Sequence, residues 1–316
     1  EEDPLDVDND NDGFIDYVAG TDCDDTDPLT SEQFNERLDL VDRNCDALID
    51  NLRTRDADAT YYGTGANLDG GFSIAVTEMD DWNNDQYLDF AVGAPFSNYN
   101  PANGVGTDGF GENPTGMVYV LSPSDEGNPA SVALASIEGA AYSFVGMELA
   151  TIPDIDGGTL SDLVVGIPGN GAVHVYLSET LAAGGIFSLG DRHTRISGSG
   201  TFGVDISNIG DINSDGYAEL AIGGAAYSAY IDTNDNAYVG VWDGAAIAAG
   251  GVLTSSDALY SVESGGSSSL GGETVGGMDL DGDGIPDFIV ASAVSSSGKV
   301  AMLSGADVAQ GGNTAH

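Results

Sequence analysis

The chain has 316 residues and carries 52 acidic side chains against 7 basic ones, for a formal net charge of −45. So few cationic side chains exclude a nucleic-acid-binding surface and a polybasic membrane anchor, because both need Lys and Arg to pair with phosphate groups. No run of about 18 apolar residues is present, which also excludes membrane insertion by an apolar helix.

The N-terminal segment, residues 1–56, is predicted to be a small irregular module that binds calcium. Two of its stretches, DNDNDGFID and DRNCDALID, place oxygen-bearing side chains at positions 1, 3, 5 and 9. With the backbone carbonyl at position 7, each stretch offers a hard cation an all-oxygen shell. The predicted ligands are Asp8, Asp10, Asp12, the Phe14 carbonyl, Asp16, Asp42, Asn44, Asp46, the Leu48 carbonyl and Asp50. A solvated acidic tail without metal is the alternative.

Two cysteines, Cys23 and Cys45, lie within this module. A Cys pair in a small acidic module predicts a disulfide in an oxidising compartment. Free or metal-bound thiols are the alternative, although no nearby His or second Cys pair completes a zinc site. The chain begins at Glu1 without an apolar leader, so we expect a mature, secreted chain.

Residues 57–316 contain one segment in four copies, which predicts a repeat architecture. The copies are Asp81–Pro95, Asp154–Pro168, Asp211–Ala225 and Asp279–Ala293. Each has acids or amides at alternating positions, followed by an apolar run and then small residues. Further short apolar stretches flank each copy, so that each unit of about 64 residues contains about four strands. Four such units predict an all-β fold, a β-propeller of about four blades.

The acidic part of each copy is predicted to be a calcium loop, and we name these parts loop 1 (residues 81–89), loop 2 (154–162), loop 3 (211–219) and loop 4 (279–287). Oxygen ligands alone favour calcium over transition metals, which would prefer His or Cys. The predicted ligands are Asp81, Asn83, Asp85, the Tyr87 carbonyl, Asp89, Asp154, Asp156, the Leu160 carbonyl, Asp162, Asp211, Asn213, Asp215, the Tyr217 carbonyl, Glu219, Asp279, Asp281, Asp283, the Ile285 carbonyl and Asp287. With the N-terminal module, the chain is expected to hold about four to six calcium ions. Asx-rich turns without metal are the alternative.

The repeated pattern resembles the FG-GAP repeats of integrin α-subunit β-propellers and their bacterial relatives. The resemblance covers residues 57–316 and implies an extracellular propeller with calcium loops. Two features depart from the family: the chain has sequence for fewer blades, and Gly158 replaces the oxygen ligand at position 5 of loop 2. The N-terminal module resembles short Asp/Cys metal-binding motifs of bacterial secreted proteins.

Two further segments bear on assembly and binding. A strand near residues 59–63 has no unit of its own, and we expect it to complete the last blade, either within the chain or in a neighbouring copy. The polar insertion between Ser97 and Thr115 is longer than a hairpin needs. Its candidate ligand contacts are Tyr99, Phe110 and Asn113, with a surface loop of no binding function as the alternative.

These features predict an extracellular or cell-surface protein, of bacterial origin, that binds calcium and is structural or adhesive. Its expected partners are copies of itself, joined head to tail in a fibre, or surface glycans and proteins. A lectin-like propeller that binds glycans or proteins is the first alternative, and the non-catalytic part of a secreted enzyme is the second. No catalytic motif is present, so no enzymatic activity is predicted.

Overall fold

The computed structural model describes residues 60–62, 71–97, 114–124, 127–224, 237–264, 269–293 and 299–310. The chain divides into two compact units, Glu1–Tyr61 and Tyr62–His316. The N-terminal module with Cys23 and Cys45, and the insertion with Tyr99, Phe110 and Asn113, lie outside the described residues. Their ligands, the disulfide and the domain boundary at residue 56 stay predictions.

Short strands make up most of the described second unit. In chain order they are β1 (Val76–Glu78), β2 (Phe90–Ala94), β3 (Met117–Leu121), β4 (Ala135–Glu138), β5 (Leu149–Ile152), β6 (Asp162–Ile167), β7 (Ala172–Tyr176), β8 (Gly185–Ser188), β9 (Thr194–Ser197), β10 (Asp205–Gly210), β11 (Glu219–Gly224), β12 (Ala237–Trp242), β13 (Gly251–Thr254), β14 (Tyr260–Ser264), β15 (Ser269–Met278), β16 (Asp287–Ala293) and β17 (Lys299–Leu303). The helices are α1 (Pro129–Val132), α2 (Ser178–Leu181), α3 (Gly244–Ala248) and α4 (Gly305–Ala309), with 3-10 turns at Pro168–Asn170 and Ser255–Asp257. No helix of the described residues is long and apolar enough to cross a membrane.

The strands form four sheets, which are the blades of a propeller-like fold. Blade 1 is the antiparallel meander β1-β2-β3-β4, blade 2 is β5-β6-β7-β9, blade 3 is β10-β11-β12-β14 and blade 4 is β15-β16-β17. The predicted all-β class and propeller-like architecture are confirmed. Blade 4 has three strands among the described residues. The strand near residues 59–63 is predicted to complete blade 4. In that segment, the Tyr62 amide donates a hydrogen bond to the Gly127 carbonyl of blade 1 at 3.5 Å. This contact does not test the closure of blade 4, which stays a prediction.

The sequence analysis did not predict β8 and β13. β8 pairs in parallel with β4 of the preceding blade, and β13 pairs in parallel with β9. Each strand therefore covers the outer edge of the blade before its own, where backbone groups would otherwise be open to pairing. Both begin at the second residue of a Gly-Gly pair, Gly184–Gly185 or Gly250–Gly251, whose four φ angles are all positive.

The core lies between successive blades, which explains why the central strands are apolar on both faces. β3 and β6 are buried along their whole length. Val118 and Leu163 belong to the cluster between blades 1 and 2, and Trp242 to that between blades 2 and 3. Phe288 belongs to the cluster between blades 3 and 4. A strand with a blade on each side reads as a continuous apolar run because neither of its faces meets water.

Glycine within the second strand of a blade is required where the next blade approaches. A Cβ on Gly93 would collide with the carbonyl oxygen of Gly146, and a Cβ on Gly166 would collide with that of Gly203. In both places the backbones of consecutive blades are in contact, so the small residues that follow each loop have a packing role.

The innermost strands of the four blades surround one cavity of about 630 Å³, lined in part by Thr77, Thr151, Asn208 and Gly276. Such convergence is expected of propeller blades, whose first strands face a common axis.

Acidic residues at the inner strands of blades 2, 3 and 4 influence one another electrostatically. Glu148 precedes β5, Asp205 begins β10 and Glu273 lies on β15. Burial, followed by the charges of Asp205 and Glu273, raises the pKa of Glu148 to about 7. Burial likewise raises the pKa of Asp205 to about 6, opposed by a hydrogen bond from the Thr274 hydroxyl.

We expect Gly166→Ala to lower the free energy of unfolding by about 2–3 kcal/mol, because its Cβ would push blades 2 and 3 apart. Chemical denaturation measures the change. Gly190→Ala is the control, because its Cβ would meet nothing closer than the Ser188 hydroxyl at 3.3 Å. Equal effects of the two substitutions would contradict the packing role.

A folded-state pKa raised above its unfolded value makes stability fall as the pH rises between the two values. For Glu148 this window runs from about 4.5 to about 7. As the pH rises through this window, the wild type should lose free energy of unfolding. We expect Glu148→Gln to lose about 2 kcal/mol less. Thermal unfolding at several pH values in chelator measures this, with Glu138→Gln on β4 as the control. An unchanged pH dependence in Glu148→Gln would show that this carboxyl does not set it.

Candidate functional site

Loops 1 to 4 occupy the same place in every blade. Each connects the innermost strand to the second strand, so its final acid lies at or next to the start of β2, β6, β11 or β16. Cross-strand pairing next to the loop is also the same in every blade. The residue after each loop pairs with the last residue of the third strand, as Phe90 does with Leu121 and Leu163 with Tyr176. The predicted site residues are therefore brought together blade by blade.

Loop 3 shows how the alternating acids organise the backbone. The Asp211 carboxylate accepts hydrogen bonds from the amides of Asp215 and Gly216, at 3.1 and 2.9 Å. Asn213 Oδ1 accepts from the Asp215 amide, and Asp215 Oδ1 accepts from the Tyr217 amide, both at 2.9 Å. Loop 1 repeats all of these bonds, with Asp81, Asn83 and Asp85 as acceptors.

Loop 4 follows nearly the same scheme. Asp279 accepts from the amides of Gly282 and Gly284, Asp281 from that of Asp283, and Asp283 from that of Ile285. Position 7 therefore donates its amide to the position-5 acid in loops 1, 3 and 4.

Two of the loops gather acids closely enough to share one cation. Carboxylate oxygens of Asp211, Asp215 and Glu219 lie within 4.8 Å of one another, and so do those of Asp279, Asp281 and Asp283. Carboxylates this close repel one another unless a cation lies between them.

Loop 2 differs because Gly158 stands at position 5. The amides of Asp156, Gly157 and Gly158 all donate to Asp154 Oδ1. The Leu160 carbonyl accepts from the Ser178 hydroxyl at 3.3 Å. A Cβ on Gly158 would collide with the carboxylate of Glu179. An acid from α2 therefore lies where the position-5 side chain would begin.

The acid at position 9 is buried in every loop, and in loops 2, 3 and 4 it connects two parts of its blade. Asp162 accepts from the Ile155 amide at 3.0 Å and from the Ser178 amide at 2.8 Å. Glu219 accepts from the amides of Ile212 and Gly244, at 2.8 and 3.2 Å. In loop 4, Asp287 accepts from the amides of Leu280 and Gly305, at 2.8 and 2.9 Å. One amide belongs to loop position 2 and the other to the second residue after the third strand.

Loop 1 lacks the second of these two bonds. Asp89 Oδ2 accepts from the Trp82 amide at 2.8 Å, but the second residue after β3 is Pro123, which has no amide hydrogen. Asp89 is 1% exposed, and its Oδ1 atom has no hydrogen-bond partner. Burial raises the pKa of this carboxyl, opposed by hydrogen bonding from the Trp82 amide and the Ser122 hydroxyl.

A buried carboxylate oxygen without a partner, next to several other oxygen ligands, fits a hard cation such as calcium. The charges of Asp85 and Asp81 act on the same carboxyl. In loop 3, burial raises the pKa of Glu219 to about 7, which the amides of Ile212 and Gly244 oppose. Both shifts arise first from burial and then from the neighbouring acids, and a bound cation would oppose them.

The sequence analysis missed four side chains that approach the loops from beyond the third strand. The hydroxyls of Ser122 and Ser124 each donate to Asp85 Oδ2 at 2.7 Å. Asp243 Oδ1 accepts from the Asn213 side chain at 3.3 Å. With Glu179, these residues lie one or three positions after the third strand of their blades. In the sequence, only their fixed distance from the third strand of the repeat could have identified these residues.

We expect Pro123→Ala to stabilise the metal-free protein by about 1 kcal/mol. The new amide hydrogen can donate to Asp89 Oδ1. This gain in stability outweighs the loss that arises because alanine restricts the unfolded chain less than proline does. Thermal unfolding in chelator measures the shift. Pro114→Ala, at the opposite end of β3, is the control and should destabilise; the same sign for both variants would contradict the role given to Pro123.

Comparison with known proteins yields no matching family model. Integrin alpha-6 of Gallus gallus is 27% identical over 78% of this chain, and integrin alpha-7 of Rattus norvegicus is 27% identical over 74%. Integrin alpha-PS2 of Drosophila melanogaster is 34% identical over 38% of the chain. These alignments cover 23%, 18% and 8% of the respective integrins, so the chain spans about a fifth or less of the curated relatives it matches. Blade architecture and similarity over most of the chain together support an integrin-α-like β-propeller.

Proposed function

We propose that the chain is a non-enzymatic binding propeller of the adhesive type, acting outside the cell or at its surface, whose blades are stabilised by calcium. The grouping of Asp211, Asp215 and Glu219, with its counterpart in loop 4, carries the proposal. Three of the loops have nearly the same hydrogen-bonding scheme, and the unpartnered Asp89 oxygen supports a cation in loop 1. The similarity to integrin α-subunits supports the adhesive role.

Calcium would act on the fold through the position-9 acid. In loops 2, 3 and 4 this acid holds the loop against the end of the third strand, so a cation that fixes the loop also fixes the blade. When bound, calcium supplies positive charge to several carboxylates and brings no reaction of its own. The chain's own part is to position these oxygens and to bury one of them.

We expect calcium to raise the free energy of unfolding. Extracellular modules bind it with dissociation constants of about 10⁻⁴–10⁻³ M. At about 10 mM calcium, each occupied loop then contributes about 1.4–2.7 kcal/mol. Thermal unfolding with calcium, magnesium or chelator measures the effect, and calorimetric titration counts the ions.

Asp215→Asn and Asp283→Asn test loops 3 and 4 separately, and each is expected to remove one bound ion. Glu138→Gln, which removes a carboxylate outside the loops, should leave the count unchanged. A protein with the same stability in calcium and in chelator would contradict the proposed role of the loops.

Self-association into a fibre is the second part of the proposal, and the exposed apolar side chains of β17 in blade 4 favour it. On β17, Val300 and Met302 are 73% and 49% exposed. Apolar side chains on a sheet face are suited to cover by another protein surface. Light scattering of the whole chain, in calcium and in chelator, distinguishes a growing assembly from a monomer.

A further inference from the structure

Away from the loops, a second cavity of about 220 Å³ opens beside blade 2. It is lined by Asn170, His174, Leu189, Arg192 and Arg195. The residues come from the turn after β6, the third and fourth strands of the blade, and the connection after β8.

The charge of this cavity is opposite to that of the chain. Only three of the seven basic residues follow residue 60, and two of them, Arg192 and Arg195, line the cavity. Both are half-buried, yet neither forms an ion pair with a carboxylate of the described residues. Arg192 donates from Nη1 to the Leu189 carbonyl at 2.5 Å. Two half-buried guanidinium groups without a carboxylate partner among the described residues indicate a place for an external anion.

A buried histidine also contributes to the wall of this cavity. His174 on β7 pairs directly with Arg195 on β9. Its side chain is 4% exposed, and Nδ1 has no hydrogen-bond partner. Burial and the two arginine charges lower the pKa of His174 to about 3, so the imidazole is neutral and adds no charge to the cavity.

The neighbouring acid does not neutralise the arginines. Asp191 accepts from the amide and the hydroxyl of Ser188, both at 2.7 Å. These two bonds lower the pKa of Asp191 and hold its carboxylate in the Ser188–Asp191 turn.

We propose that this cavity is a binding site for one carboxylate-bearing sugar unit of the uronic acid class. Guanidinium groups bind a carboxylate through paired N–H donors. The Asn170 amide is suited to a sugar hydroxyl, and Leu189 to the face of the ring. A volume of about 220 Å³ is below the roughly 300 Å³ of pockets for drug-sized ligands and suits a single sugar unit.

The negative charge of the whole chain does not prevent such binding. Charges on the rest of the surface are screened over about 8 Å at physiological salt, whereas the two arginines contact the ligand directly. The site gives a ligand class to the adhesive role and rests on the proposed function in that respect alone, since binding in this cavity needs no calcium.

The test is calorimetric titration of the full chain with glucuronate, in calcium and again in chelator. We expect saturable binding in both, and none with glucose, which lacks the carboxylate. Arg195→Gln should weaken binding about tenfold or more, since a charge-assisted hydrogen-bond pair is lost. Arg195→Lys keeps the charge but not the paired donors, so its affinity should lie between those of the other two proteins.

A second readout follows His174 itself by NMR. Glucuronate should shift the His174 ring resonances in the wild type and leave those of His193, whose Nε2 contacts the Ala248 carbonyl, in place. If Arg195→Gln does not fold, Arg192→Gln serves as the charge-removing variant.

Three results would overturn the proposal: no binding of glucuronate, equal affinity in the wild type and Arg195→Gln, or tighter binding of a Glu-rich peptide in this cavity. Loss of calcium binding together with intact glucuronate binding would contradict the proposed function of the loops and leave the sugar site standing. Intact calcium binding without glucuronate binding would overturn the sugar site alone.

Discussion

The structure depends on one repeated interaction, in which a buried acid accepts backbone hydrogen bonds at the base of each loop. Asp162, Glu219 and Asp287 each join the start of their loop to the end of the third strand through two amides. A buried carboxylate is costly unless its oxygens are satisfied. These bonds offset that cost and fix the loop relative to the strands, so the same residue serves both the fold and the candidate cation site.

Blades are joined by different means. Apolar clusters fill the spaces between successive sheets, and glycines such as Gly93 and Gly166 let the backbones of neighbouring blades touch. β8 and β13 then extend each of the first two blades with a strand from the next. Blades 1 and 2, and blades 2 and 3, are therefore linked at both the inner and the outer part of the sheet, whereas blade 4 keeps the exposed side chains of Val300 and Met302.

Differences between the copies of the repeat change the side chains at the loops but leave the strands of the blade unchanged. Pro123 removes an amide donor from Asp89 while blade 1 keeps its strand register. At Gly158 the loop loses a side chain, and Glu179 from α2 lies in its place. The arginine-lined cavity is a further local departure, since it uses residues of blade 2 outside the repeated segment. Function can thus differ from blade to blade on a scaffold that stays the same.

Most of the strands, about four in each repeated unit, and the alternating acids of the four loops could be predicted from the sequence alone. This was possible because these features are local: apolar runs, turn residues and spacing recur four times in the chain. The folded chain was needed to show that β8 and β13 join a neighbouring blade, that Pro123 leaves Asp89 Oδ1 without a donor, and that Arg192 and Arg195 lie beside His174. These contacts join residues from different strands, or from positions with no periodic pattern, so their proximity follows from strand pairing and blade stacking and not from local sequence.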